Sequence, residues 1–160
     1  MFMKEVVFMR HGHALSAREA GVASDSERPL SSLGEQEALE TARHLSETGF
    51  SPSLIISSPF LRASRTAEIA ARIFTAAARS TSPALSDGPA SAIVDLIESL
   101  ERDGASVLVV GHQPLMGAIA GYFSGRGNFD LSPAGFVRVD GEKSPAGSAL
   151  LEFYSPPVRK

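Results

Sequence analysis

The sequence predicts one α/β domain, spanning residues 1–160, in which a mostly parallel central sheet lies between two layers of helices, a three-layer α/β/α sandwich. Three observations predict it. Three short runs, residues 5–9, 54–56 and 107–110, are apolar nearly throughout and rich in Val and Ile, as strands buried on both faces are. Between them lie segments whose apolar residues recur at helical spacing. A chain of 160 residues that is 43% hydrophobic can also bury a core for one domain without crosslinks, and this one has no cysteine to make them.

The elements follow in order. The first strand carries Val6, Val7, Phe8 and Met9. Residues 13–29 are polar and read as a loop. A helix begins near Ser32, which stands at capping-box spacing from Glu35, and Gly49 marks its stop. Ala38, Ala42 and Leu45 form its inner face. After the second strand, Ser58-Pro59 reads as an N-cap followed by proline at the first helical position. The helix it opens has Ala63, Ala67, Ala70 and Ile73/Phe74 on one stripe. Residues 75–90 are small and polar, with two prolines, and read as surface loop. A helix over 92–103 turns Ile93, Ile97 and Leu100 inward. The third strand runs into Gly111-His112-Gln113-Pro114 and a helix to about Phe123. The tail, 136–154, has one or two further strands, with apolar Val137, Val139, Leu151 and Phe153.

Composition narrows the function. Lack of cysteine excludes disulfides, thiolate metal sites and a cysteine nucleophile. The net charge is −3 with signs interspersed, so the basic footprint of a nucleic-acid binder is missing. The apolar start is too short to cross a membrane and no small-residue cleavage site follows it. No run reaches about 18 apolar residues. The expectation is a soluble, cytoplasmic protein with no membrane or nucleic-acid partner.

Each of the three apolar strands leads into a residue that can handle phosphate. Arg10-His11-Gly12 follows the first, Arg62 stands just after the second, and His112 follows the third. Ligands of open α/β sheets bind outside the carboxyl ends of the strands, so these side chains are candidates to converge there. Arginine matches phosphate oxygens with a planar fork of donors. A neutral imidazole can attack phosphorus and hold it covalently. Nearby Arg10 and Arg62 disfavour a protonated His11. Gly12 lets the backbone approach the phosphate closely.

Arg10-His11-Gly12 after a strand resembles the signature of the histidine phosphatase superfamily, the phosphoglycerate-mutase-like enzymes. Further segments are similar to one branch, the SixA-type bacterial phosphohistidine phosphatases. They are residues 25–31 (Asp-Ser-Glu-Arg-Pro-Leu-Ser), Gly34, residues 58–63 (Ser-Pro-Phe-Leu-Arg-Ala) and residues 107–115 through Gly111-His112-Gln113-Pro114. The resemblance spans about residues 6–115. It implies a phosphoglycerate-mutase-like fold and a phosphatase that needs no cofactor and no metal. It further implies His11 as nucleophile, Arg10 and Arg62 as phosphate-binding arginines, and His112 as a second histidine donating to the phosphoryl group. Arg28 is either a substrate contact or half of a structural salt bridge. His13 stands where many relatives have an acidic residue, and reads as a pocket residue or, more simply, as a solvated loop histidine. His44 reads as surface, and Met9 and Met116 as core.

The general acid is the gap. The region between the middle strands, where larger relatives supply a carboxylate, is short, and Asp87 is its one carboxylate before Asp95. Asp87 is a candidate acid, although Ser-Asp-Gly reads first as a turn. An alkoxide leaving group needs a proton in the transition state, whereas an imidazole protonated on its other nitrogen departs neutral. A weak acid therefore favours a phosphohistidine-bearing protein as partner. The alternative is a small phosphorylated metabolite, with a phosphate or similar oxyanion at the site in either case. A non-catalytic phosphate-binding module would have lost the nucleophile or an arginine. A metal hydrolase built on His11, His13 and His112 lacks an accompanying carboxylate at ligand spacing.

Overall fold

The structure is a computed structural model and describes residues 5–100, 106–141 and 147–157. Six strands form one sheet in the order β3-β2-β4-β1-β5-β6. They are β1 (Glu5–Arg10), β2 (Pro52–Ser57), β3 (Ala78–Thr81), β4 (Ser106–Gly111), β5 (Phe136–Asp140) and β6 (Leu150–Tyr154). The pairs β1·β4, β4·β2 and β2·β3 are parallel, whereas β5 runs antiparallel to both β1 and β6. The helices are α1 (Ala17–Ala20), α2 (Ser32–Glu47), α3 (Leu61–Ile73), α4 (Ala84–Asp87), α5 (Ala90–Leu100) and α6 (Leu115–Ser124), with a 3-10 turn at Asp25–Glu27.

The pleat divides the core in two. Val7, Met9, Ile55, Leu108, Val110 and Phe136 face one way, onto Ala42 and Leu45 of α2 and Ala63, Ala67 and Ala70 of α3. Val6, Phe8, Ile56, Val107, Val109 and Val137 face the other, onto Ile93 and Ile97 of α5 and Met116, Ile119 and Phe123 of α6. Strands covered on both faces have no polar side to spare, which is why β1 and β4 read as unbroken apolar runs. The three-layer sandwich and the helical stripes are as the sequence predicts.

The differences lie in polar segments. The stretch read as loop, 13–29, holds α1, closed by a capping box between Ser16 and Glu19, and the 3-10 turn. The N-cap of α2 is Ser31, whose side chain accepts from the Gly34 N–H, so Ser32 and Glu35 form no capping box. Helix α3 starts at Leu61, two residues later than Ser58-Pro59 implies; the Ser58 hydroxyl accepts from the Phe60 N–H (3.1 Å) in the turn before the helix and also meets His112. The surface loop over 75–90 contains β3 and α4. β3 is an exposed edge strand with no inward face to leave an apolar pattern. Helix α5 begins at Ala90, and residues 101–103 of the expected helix lie outside the described residues. Leu151 and Phe153 point to solvent from the edge strand β6. His44 is half-buried rather than a surface residue: its Nε2 lies 2.6 Å from Glu152 Oε2 and its ring stacks on Tyr154.

Candidate active site

Backbone register brings the candidate residues together. Arg10 pairs with Gly111 and Ser57 with Val110, so β1, β4 and β2 end level. The His11 N–H donates to Gly111 O (3.0 Å), and the Ser58 N–H donates to Val110 O (3.0 Å). His11 and His112 therefore leave adjacent strands side by side, with ring centroids 5.1 Å apart. Residues 134 and 135 clamp the other flank: the Arg10 N–H donates to Gly135 O and the Ala134 N–H to His11 O, each at 2.9 Å.

His11 Nδ1 lies 2.7 Å from Gly12 O. A carbonyl only accepts, so Nδ1 carries the ring proton and Nε2 presents a lone pair. Arg62, in the first turn of α3, donates to that lone pair through Nε at 3.3 Å. His11, Arg62 and His112 are all buried. Burial above all pushes His11 down to about 3, with His112, Arg62 and Arg10 adding to the effect and the Gly12 carbonyl opposing it. Burial, then the Arg62 charge, pushes His112 down to about 4. Both imidazoles are neutral near pH 7.

Arg10 anchors its guanidinium on Leu131 O (3.0 Å), and burial lowers its pKa while Asp130 and Glu37 act against that. Arg10 Nε and His112 Nδ1 are buried without a partner. An unmet buried polar atom is costly, so each has a donor or acceptor position open to a ligand. Arg62 also donates to Asp25, from Nη1 to the carbonyl (2.7 Å) and from Nη2 to Oδ2 (3.0 Å). Asp25 Oδ1 accepts from Arg28 at 3.0 Å. These two cations hold the Asp25 carboxyl below the usual carboxylate range, so it is ionised.

Four sequence candidates thus cluster, His11, Arg10, Arg62 and His112, and the others fall around them. Arg28 forms a salt bridge with Asp25 and donates to Leu15 O (2.8 Å), and through Asp25 it is linked to Arg62. His13 is exposed and ties itself to the start of α2, with Nδ1 2.7 Å from Ser31 Oγ and its N–H donating to Glu37. Gly12 makes a close approach of its own: a Cβ there would lie 2.5 Å from Gly34 O, and its N–H donates to Thr66 Oγ1 (3.1 Å). Gly12 therefore docks the loop on α2 and α3 and leaves no N–H for a phosphate. Asp87 is exposed at the end of α4, near enough for its charge to act on His112.

Sequence reasoning missed three contributors. Ser58 bonds His112, and its position straight after β2 was the available signal, overshadowed by its look of a helix cap. Phe60 stands edge-on to His112, with the Arg62 guanidinium 5.4 Å from its ring centroid. Asp25, the partner of Arg62, is 37 residues away in sequence and no local spacing links them. Among the described residues no group of three His, Cys, Asp or Glu is placed to hold a metal, and no helix is long and apolar enough to cross a membrane.

Known proteins share this fold and much of this sequence. The profile of the histidine phosphatase superfamily, branch 1, matches residues 6–87. An uncharacterized protein of Picosynechococcus sp. is 35% identical over 161 residues, covering 94% of this chain and 90% of its own. Phosphohistidine phosphatase SixA of Escherichia coli is 35% identical over 116 residues, covering 71% of this chain and 70% of its own. The solved structure of the protein histidine phosphatase SixA complexed with tungstate superposes with a TM-score of 0.85 at 28% identity, over 95% of this chain and 97% of that one. The six-stranded, mostly parallel sheet flanked by helices matches the phosphoglycerate-mutase-like fold. With the profile covering more than half of the chain and SixA relatives on both comparisons, this chain belongs to the histidine phosphatase superfamily and is a SixA-like phosphatase.

Proposed function

We propose that the chain dephosphorylates phosphohistidine on a protein, through a covalent phosphohistidine intermediate at His11. One observation carries the reading: His11 is locked as a neutral imidazole with Nδ1–H on Gly12 O and an unprotonated Nε2 that accepts only from Arg62, beside Arg10 and His112, with no carboxylic acid among them.

In the first step His11 Nε2 bonds to phosphorus as the P–N bond of the substrate breaks. The substrate imidazole leaves with the electron pair and is neutral if its other nitrogen holds a proton. Arg62 turns its donors from Nε2 to the phosphoryl oxygens, while Arg10 and His112 share their charge, the kind of preorganised stabilisation on which phosphoryl transfer mostly relies. In the second step water attacks phosphorus, its proton ends on the released phosphate, and the electron pair returns to His11 Nε2. His11 departs neutral because Nδ1 has kept its proton on Gly12 O.

No carboxyl group is placed against the His11 ring to supply a proton. Asp25 is ionised between Arg28 and Arg62, and Asp87 sits exposed at the rim. An alkoxide would leave without help, and an imidazole needs none. The SixA relatives, named for phosphohistidine and for protein histidine, support the same substrate.

The test is phosphate release from a phosphohistidine-bearing protein and from a panel of sugar phosphates, with chelator present, for the native chain and His11→Ala. Release from phosphohistidine, lost in the variant, is expected. Preferential release from an alkyl phosphate, also lost in the variant, would move the substrate to a metabolite and return Asp87 to the role of acid.

A further inference from the structure

The hydroxyl of Ser58 is fully buried and has three partners. The Phe60 N–H donates to it (3.1 Å), Ser86 Oγ lies 2.9 Å away, and His112 Nε2 lies 2.9 Å away. A hydroxyl has one proton and two lone pairs, and the Phe60 N–H fills one lone pair outright. One proton and one lone pair remain for Ser86 and His112. Two arrangements satisfy that count. Either Ser86 donates to Ser58 and Ser58 donates to His112, or both bonds run the other way.

The site decides between them. Nε2 of His112 is occupied by Ser58, so any bond from His112 to a phosphoryl oxygen comes from Nδ1, which is buried and unpartnered. A phosphoryl oxygen only accepts. Nδ1 must then carry the proton of the neutral ring, and Nε2 must accept. We propose that Ser58 is a positioning residue that donates to His112 Nε2 and so fixes the tautomer in which His112 meets the phosphoryl group as an Nδ1–H donor, with Ser86 supplying the proton that orients Ser58. This rests on the reading that the phosphoryl group sits between His11 and His112. The serine plays toward His112 the part that the Gly12 carbonyl plays toward His11: each fixes one ring nitrogen so that the other has a single possible role.

The experiment is nitrogen-15 NMR of the histidine-labelled protein with inorganic phosphate bound, with the His112 signals assigned by comparison with His112→Gln. The expected spectrum shows His112 neutral, Nδ1 protonated and Nε2 unprotonated. In Ser58→Ala, read without phosphate so that no oxyanion holds Nδ1–H, the preference for that tautomer disappears, and kcat for phosphohistidine falls roughly 10–100-fold, less than the ~10²–10³ lost with a whole oxyanion donor. Ser86→Ala, a change at the half-exposed end of the relay, gives the same tautomer shift in weaker form. A neutral His112 protonated on Nε2 with phosphate bound would overturn the role of Ser58, as would an unchanged tautomer in phosphate-free Ser58→Ala together with an unchanged kcat. Failure of the phosphatase reading shows separately, as phosphate release that does not depend on His11.

Discussion

Arg62 Nε donates to the Nε2 of His11 at 3.3 Å, so the candidate phosphate ligand rests against the candidate nucleophile. That contact needs a guanidinium. Its Nε reaches His11 while its two terminal nitrogens reach Asp25, a division of labour that a lysine ammonium cannot copy. Arg62→Lys is expected to lose nearly as much kcat as Arg62→Ala, on the order of 10³-fold in both, as steady-state kinetics on a phosphohistidine peptide would measure.

Asp25 holds Arg62 by charge and by hydrogen bonding together. Asp25→Asn keeps an acceptor, whereas Asp25→Ala keeps only the backbone carbonyl. The alanine variant is expected to lose about tenfold in kcat and the asparagine variant clearly less, an ordering that kinetics on both resolves. An equal loss in both would assign the effect to charge.

The pH profile follows from the buried imidazoles. In kcat/KM, which reports the free enzyme, no acid limb is expected near 6.5, because His11 and His112 stay neutral down to about 3 and about 4. Stability behaves oppositely. Between those values and 6.5 the unfolded chain binds protons that the folded chain refuses, so stability falls as pH drops from about 6.5. His11→Gln is expected to flatten that slope in thermal melts taken between pH 7 and pH 4.

Gly12 and Gly34 meet where the loop after β1 crosses the start of α2. A Cβ on Gly12 would lie 2.5 Å from Gly34 O, and one on Gly34 would lie 1.9 Å from His13 O. Both contacts are with backbone, which cannot swing aside. Gly12→Ala and Gly34→Ala are each expected to cost about 1–3 kcal/mol or more in denaturant unfolding. The same variants would show lowered activity, since the crossing sets the position of His11.

Much of the site was legible because sheet geometry made it so. Once β1, β2 and β4 are parallel, their ends fall on one edge, and His11, Arg62 and His112 must meet there whatever the loops do. What stayed hidden depends on side chains distant in sequence. Nothing near Asp25 announces that it will bind Arg62, and nothing near Ser58 announces His112. The missed β3 and the late start of α3 share one cause: an exposed edge strand and a buried hydroxyl both break the link between polarity and loop. The capping box in 16–19 was readable, but one-turn helices carry no periodicity to draw attention to it.

The central claim is that phosphorus passes through His11 Nε2. Rapid mixing with a phosphohistidine protein labelled in its phosphoryl group, quenched in alkali where phosphohistidine survives, tests it most directly. The account predicts label on His11 that appears before free phosphate, is lost under acid and is absent from His11→Ala. Turnover at the native rate with no labelled enzyme at any time, surviving in His11→Ala, would contradict it.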